Sequence, residues 1–290
     1  MISKLRIGVL VIILNFFASV ATTWGQVENP SLLQMAVPSL NIAPDARGGG
    51  MGDMGAATLP DINSQYWNAA KYAFMGSKAG VSLSYTPWLR KLVNDVALVN
   101  MTGYYKLGNS DLQAISASLR YFSLGEVNIW ENIGDVPYGL NPYEMAFDVA
   151  YSRKLSESYS MAVTLRYIRS DMGTDQNEES NAGNAFSADI SGYLEKYVLM
   201  GNAEALWSFG FNLSNIGSKI SYDGGNTNQY LPAKLTLGTG LLYPIDDYNQ
   251  IGVYLDLNKY MVPYAPQKEE GETDADYQTR VDDYKSWSSL

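Results

Sequence analysis

The chain alternates apolar and polar residues in nine separate stretches between Gly80 and Asn258. In the clearest stretch, from Ala205 to Ser214, one face carries Ala205, Trp207, Phe209, Phe211 and Leu213. Because successive residues of a strand point to opposite faces of its sheet, each stretch predicts a strand with one apolar and one polar face. Strands of this kind are typical of a membrane β-barrel, in which the apolar face meets lipid and the polar face lines the lumen.

The charged residues of these strands all fall on the polar face. They are Lys106, Arg120, Asp148, Arg166, Asp189, Glu195, Lys234 and Asp256. A charge in the middle of the lipid layer costs about 2 to 4 kcal/mol, so we expect all eight to face the lumen and to pair there. If the protein were a soluble sheet with solvated charges on one face, the pattern of any single strand would be explained, but not the same pattern in all nine strands.

Short and long connections alternate between the predicted strands. The short connections are rich in turn-forming residues: Gly108–Asp111, Ser156–Ser158, Leu199–Asn202 and Pro244–Asn249. The long connections are Leu124–Pro142, Asp171–Asn184 and Ile216–Pro232. Bacterial barrels keep short turns in the periplasm and long loops outside, so the first strand is predicted to run outward.

Two long connections, Leu124–Pro142 and Asp171–Asn184, are candidate loops for binding a protein partner. The first contains Ile129, Trp130 and Ile133, and exposed apolar residues of this kind often mark protein contacts. An alternative, equally open, is that these loops fold over the mouth of the barrel.

The N-terminus has the pattern of an export signal. Lys4 and Arg6 precede an apolar core, Ile7 to Val20, and small residues follow it. Residues 1–25 are therefore predicted to be a signal peptide, with cleavage after Ala21 or after Gly25. An export signal with amphipathic strands and no helical anchor predicts the outer membrane of a Gram-negative cell as the destination.

The amino-acid composition argues against several classes of function. The 22 Tyr and 6 Trp suit aromatic girdles at the two membrane interfaces. A net charge of −10 argues against a nucleic-acid partner. The chain has no Cys and no His, so it lacks the commonest general base and the commonest metal ligand. We therefore expect no enzyme activity, no cofactor and no metal site.

Residues 26–78, before the first strand, contain the most distinctive motif, a glycine-rich run followed by Tyr66-Trp67-Asn68. Gly50, Gly52 and Gly55 formally satisfy G-x-G-x-x-G, but no strand precedes them, so dinucleotide binding is not expected. Because glycine permits close backbone approach, this segment is predicted to plug the lumen as a hatch. The residues expected to hold it there are Asp45, Arg47, Trp67 and Asn68. Simple core packing is the alternative for Trp67.

The barrel is predicted to occupy residues 79–290, and its strand count is odd, whereas bacterial barrels normally have an even number. The acidic stretch Lys268–Lys285, within residues 264–286, is predicted to be a solvated external loop. We therefore expect the chain to be C-terminally incomplete, with further strands missing.

Several motifs resemble those of known outer-membrane proteins. The glycine-rich run Ala46–Ala56 with Tyr66–Ala70 resembles the N-terminal hatch of the FadL-like family, although Ala69 replaces that family's usual proline. Four segments in order resemble the PorV family of the type IX secretion system of Bacteroidota: Pro38–Arg47, Asn212–Gly217, Leu231–Leu235 and Leu255–Pro263. The resemblance covers about Ala36 to Pro266.

The resemblance implies an all-β, FadL-like outer-membrane barrel of fourteen strands with an N-terminal hatch. It implies a protein that binds the C-terminal signal domain of secreted cargo at the outer-membrane translocon and carries it to a surface attachment complex. That complex contains a PorU-type peptidase and attaches cargo to lipopolysaccharide, so outer-membrane lipid is a further expected partner. Two other functions stay open: a FadL-like channel for hydrophobic molecules, which needs an apolar lumen, and an outer-membrane lipid hydrolase, which the absence of His argues against.

Overall fold

The fold is dominated by one antiparallel sheet whose nine strands follow chain order. A computed structural model describes residues 33–88, 90–91, 95–108, 112–129, 138–173, 182–201, 203–224, 228–269 and 271–287. The strands of the chain are β1 (Ala79–Pro87), β2 (Val96–Leu107), β3 (Gln113–Leu124), β4 (Val127–Ile129), β5 (Tyr138–Leu140), β6 (Tyr143–Lys154), β7 (Tyr159–Asp171), β8 (Gly183–Met200), β9 (Ala203–Gly217), β10 (Lys234–Pro244) and β11 (Gln250–Tyr260).

The nine predicted strands are confirmed as β1–β3 and β6–β11, while β4 and β5 pair only with each other as a small hairpin. Within the described residues the sheet does not close, and β1 and β11 are its edges. Among those residues no helix is both long and apolar enough to cross a membrane.

The two faces of the sheet differ sharply. Residues 33–78, here called the N-terminal segment, pack on one face, which we call the covered face. The opposite, open face presents large apolar side chains, with Leu83 72% exposed and Leu165 66% exposed. On β6 and β7 buried and exposed positions alternate at almost every residue. The polar positions of these strands are therefore buried on the covered face, and the apolar positions are exposed or half-buried on the open face.

The N-terminal segment crosses the covered face from one end to the other. It contains four short helices: the 3-10 helices Pro38–Asn41 and Ala69–Phe74 and the α-helices Ala46–Gly50 and Ser64–Trp67. Leu40 packs with Ile168 near the long connections, whereas Tyr72 packs with Tyr104 and Tyr193 near the short ones. Both ends of the sheet are thus tied to one continuous segment.

The acidic stretch predicted as a loop is instead helical from Asp274 to Ser286. Thr273 caps this helix by accepting the Asp276 N–H at 3.2 Å, and acidic residues fill the first turn, where they stabilise the helix dipole. At its other end, Lys219 Nζ donates to the Lys285 carbonyl at 2.9 Å. Charge density alone does not distinguish a solvated loop from a solvated helix, whereas the Thr273 cap favours the helix.

Candidate functional site

The stretch Gly55–Ala57 of the N-terminal segment is hydrogen-bonded to two strands of the sheet. The Asp256 carboxylate of β11 accepts the N–H groups of Gly55 (2.8 Å) and Ala56 (3.0 Å). The Ser208 hydroxyl of β9 donates to the Ala57 carbonyl at 2.6 Å. These three residues are therefore bound through their backbone.

Two strand glycines make room for this stretch. A Cβ on Gly210 of β9 would lie 1.9 Å from the Ala56 carbonyl oxygen. A Cβ on Gly238 of β10 would lie 2.9 Å from the Ala56 Cβ. Glycine inside a strand commonly marks such a close backbone approach. Sequence reasoning missed both positions, because nothing local distinguishes them from other strand glycines.

Asn68 connects the same stretch to a further strand. Its Nδ2 donates to the Ala56 carbonyl and to the Gly192 carbonyl of β8, both at 2.9 Å, and its Oδ1 accepts the Ala70 N–H at 3.1 Å. Of the residues predicted to hold the segment, Asn68 thus contacts the sheet directly. Trp67 does so through its carbonyl, which accepts from Asn212 Nδ2 of β9 at 3.0 Å.

Lys71, which the sequence does not single out, contacts the Gly55–Ala57 stretch. Lys71 is fully buried and donates through Nζ to the Gly55 carbonyl (2.8 Å) and to Thr58 Oγ1 (3.2 Å). Both acceptors are neutral, and burial lowers the pKa of Lys71 to about 8. An ammonium group therefore helps to hold Gly55 in place without a directly paired carboxylate.

Trp67 organises the glycine-rich run. Its indole N–H donates to Asp45 Oδ1 at 2.8 Å, while Asp45 Oδ2 accepts the Gly48 N–H at 2.8 Å and so caps the helix Ala46–Gly50. A Cβ on Gly48 would lie 2.4 Å from the indole, and one on Gly55 2.2 Å from it. The ring therefore requires glycine at both positions.

The other residues of the motif have different environments. Gly52 has a φ of +78°, which favours glycine, whereas a Cβ on Gly50 would meet nothing within 4 Å. Arg47 is 43% exposed and pairs with Asp61 at 2.6 Å, within the N-terminal segment. Asp45 and Arg47 thus shape the segment itself.

Three of the eight charges predicted on the polar face form one buried cluster. Arg166 of β7 binds Asp148 of β6 (Nε to Oδ1, 2.6 Å) and Asp189 of β8 (Nη2 to Oδ2, 2.9 Å). Asp189 also accepts the N–H of Asn215, which lies in a bulge of β9 with a φ of 59°. Asn215 accepts from Arg166 and donates to the Pro232 carbonyl at 3.0 Å. The cluster thereby joins four adjacent strands.

Three further charges contact the backbone of the N-terminal segment. Arg120 donates to the carbonyls of Ser39 (2.6 Å) and Ile42 (3.1 Å), and Lys106 donates to that of Met75 at 2.7 Å. Asp256 is the third, as described above. The remaining two, Glu195 and Lys234, are half-buried on the covered face. We therefore find this face arranged largely to bind the chain's own segment.

A small cavity lies between the N-terminal segment and the covered face. The cavity measures about 30 Å³. It is bounded by Trp67 of the N-terminal segment and by strand residues that include Arg166, Lys234 and Asp256. A volume of this size holds one or two water molecules.

Parts of the predicted site lie outside the described residues. These are the signal peptide (residues 1–25), residues 130–137 with Trp130 and Ile133, and residues 174–181 of the second candidate loop. Ile129 is described and forms the last residue of β4, where it is half-buried.

Comparison with known proteins decides the family. Residues 26–268 match the family model described as type IX secretion system protein PorV. The chain belongs to the PorV family. As a PorV protein it is an outer-membrane component of the type IX secretion system, which confirms the family resemblance found in the sequence. PorV is a family of secretion-system components and not a known enzyme family. No curated protein matches the chain closely enough to add to this assignment.

Proposed function

We propose that this protein is a carrier for secreted proteins in the outer membrane. It binds their C-terminal signal domain at the translocon and delivers them to a surface attachment complex that contains a PorU-type peptidase and attaches them to lipopolysaccharide. Membership of the PorV family supports this proposal. The N-terminal segment is hydrogen-bonded along the covered face, so we place the cargo elsewhere on the protein.

The open face supports placement in the lipid layer as part of a barrel, with the N-terminal segment as its hatch. On β6 the outward residues Phe147, Val149 and Tyr151 are exposed and lie between Tyr143 and Arg153. Apolar side chains bounded by aromatic and charged ones are typical of the lipid-facing surface of such barrels. We propose that the closed barrel has fourteen strands.

A channel for hydrophobic molecules is the weaker alternative. Pockets for small organic ligands usually measure about 300 to 1,000 Å³ and are mostly apolar. The cavity on the covered face is about 30 Å³ and is bounded by Arg166, Asp148 and other polar side chains. A hydrophobic molecule would have to displace the hydrogen-bonded Gly55–Ala57 stretch in order to pass.

Cargo is therefore assigned to the end of the sheet with the long connections. The β4–β5 hairpin connects β3 to β6 at this end, and its Val127 is 47% exposed. The flanks of the hairpin are already adjacent, since Leu124 N–H donates to the Pro142 carbonyl at 3.0 Å. The connection can therefore be shortened without separating β3 from β6.

The test is a deletion of residues 126–141 that is closed by an Asn-Gly turn, a sequence suited to tight hairpins. We expect the variant to fold but to lose co-purification with proteins that share the C-terminal signal domain, from detergent-solubilised outer membrane. The matched control replaces residues 245–248, a turn at the opposite end, and should retain cargo. Cargo at wild-type level with both variants would exclude this hairpin, whereas fatty acids or hydrocarbons bound to the purified protein would favour the channel.

A further inference from the structure

The N-terminal segment contacts individual strands in a fixed order. On β3, Arg120 lies toward the long connection and binds the carbonyls of Ser39 and Ile42. Ser116 lies toward the short connection, and its hydroxyl donates to Gln65 Oε1 at 2.6 Å. As the segment advances in sequence, its contacts therefore move along β3 from the end with the long connection to the end with the short one.

Strand β7 shows the same order and gives a length. Ile168, toward the long connection, packs in one cluster with Leu40. Ser160, toward the short connection, donates through its hydroxyl to the Ala70 carbonyl at 2.7 Å. A strand rises about 3.4 Å per residue, so these two contacts are about 27 Å apart along β7. At a strand tilt of about 40° they span about 21 Å of the membrane normal, most of the apolar band of about 25 Å that such barrels present to lipid.

The segment begins at the end of the sheet with the long connections, beside the helix Asp274–Ser286. The Ala36 N–H donates to the Tyr230 carbonyl, in the connection between β9 and β10, at 2.9 Å. The apolar side chains on either side of Gln34 pack against the same cluster as Tyr284 of the helix. Gln34 itself is exposed. This end of the segment is therefore held by two elements of the same end of the sheet.

The segment ends at the opposite end of the sheet, where it continues into β1. The Met75 carbonyl accepts from Lys106 Nζ at 2.7 Å, and the hydroxyls of Ser77 and Tyr104 are 2.5 Å apart. Tyr104 and Lys106 belong to the last residues of β2, next to its short connection to β3. Gly76 is exposed, and a Cβ there would meet nothing within 4 Å.

We infer that the N-terminal segment crosses the outer membrane inside the barrel, with Gln34 at the cell surface and Gly76 in the periplasm. A signal peptide delivers the chain to the periplasm, and a plug inserted from that side as a loop would leave both of its ends there. The ordered contacts along β3 and β7 instead describe a single passage in one direction.

The inference rests on the proposed placement of the sheet in the outer membrane with its long connections outside. It places the start of the segment at the same end as the hairpin assigned to cargo. A protein at the cell surface would therefore have access to both.

The test labels single-cysteine variants of the full chain in intact cells, with a maleimide on a polyethylene glycol chain too large to cross the outer membrane. The chain has no Cys, so each variant carries one thiol. Gln34→Cys and Gly76→Cys report the two ends of the segment. The reference variants are Gln278→Cys, on the helix Asp274–Ser286, and Tyr248→Cys, in the short connection between β10 and β11. All four positions are exposed, so folding should tolerate the substitutions.

We expect Gln34→Cys and Gln278→Cys to be labelled in intact cells, and Gly76→Cys and Tyr248→Cys only after the outer membrane is permeabilised. If Gln34→Cys were labelled only after permeabilisation, or Gly76→Cys already in intact cells, the inference would be overturned. A reversed pattern at all four positions would overturn it together with the orientation of the sheet. The expected labelling without cargo on the purified protein would refute the carrier function alone.

Discussion

The substitution Gly210→Ala tests whether the N-terminal segment is bound through its backbone. The added methyl group would lie 1.9 Å from the Ala56 carbonyl oxygen and 2.6 Å from its carbonyl carbon, and backbone atoms cannot rotate aside as a side chain can. The Gly55–Ala57 stretch would have to move away from β9. Overpacking of this kind costs about 1 to 3 kcal/mol.

Movement of the stretch also weakens its hydrogen bonds. The Ala56 carbonyl would separate from Asn68, the Ala56 N–H from Asp256, and the Ala57 carbonyl from Ser208. Each buried bond contributes about 1 kcal/mol, and partial loss adds to the steric term. We expect the free energy of unfolding to fall by about 2 to 4 kcal/mol.

The measurement is urea unfolding of the full chain in lipid vesicles, combined with hydrogen exchange at the amides of residues 54–58. Gly103→Ala is the matched control, because it makes the same change in a strand where the nearest atom is 3.5 Å away. That variant should be unchanged or more stable by up to about 1 kcal/mol. Equal stability of the two variants, with unaltered protection at Ala56, would refute the close approach.

Three further substitutions test the buried polar groups. The folded-state pKa of Lys71, about 8, lies below its ordinary 10.5, so the unfolded chain binds more protons between these values. The free energy of unfolding should rise with pH over that window by up to about 3 kcal/mol relative to Lys71→Met, and a pH-independent difference in urea melts would contradict this. Asp45→Ala removes the indole partner of Trp67 and a helix cap, so we expect a loss of about 2 kcal/mol and faster exchange of the indole proton, while Asp45→Asn should retain most of both. Arg166→Met leaves two aspartates buried without their cation, so the free energy of unfolding in urea should fall by about 3 to 5 kcal/mol. Replacing both aspartates with Asn in the same chain should recover part of this loss. If Arg166→Met alone were as stable as the wild-type protein, the buried pairing would be disproved.

The strands were predictable because the signal is local. Residues two apart share a face, so the placement of Lys106 or Asp148 on the polar face follows from counting along one strand. The same reasoning located the distinctive N-terminal segment, because its glycines are concentrated in a short run. It also identified Asn68 and Trp67, whose motif is contiguous.

The contacts of that segment were not predictable, because their partners are distant in sequence. Gly55 and Asp256 are 201 residues apart, and no periodicity in either region points to the other. Lys71 reads as an ordinary surface lysine until the fold buries it. The bulge at Asn215 likewise depends on the register between β8 and β9, which single-strand patterns do not define.

The path of the N-terminal segment has a consequence for biogenesis. Ribosomes make this segment before any strand, yet it is hydrogen-bonded to Ser208 and Asp256, which follow their partners by 151 and 201 residues. Contacts so distant in sequence form late, because the intervening chain must first be ordered. The N-terminal segment therefore cannot make these hydrogen bonds until β9 and β11 have formed.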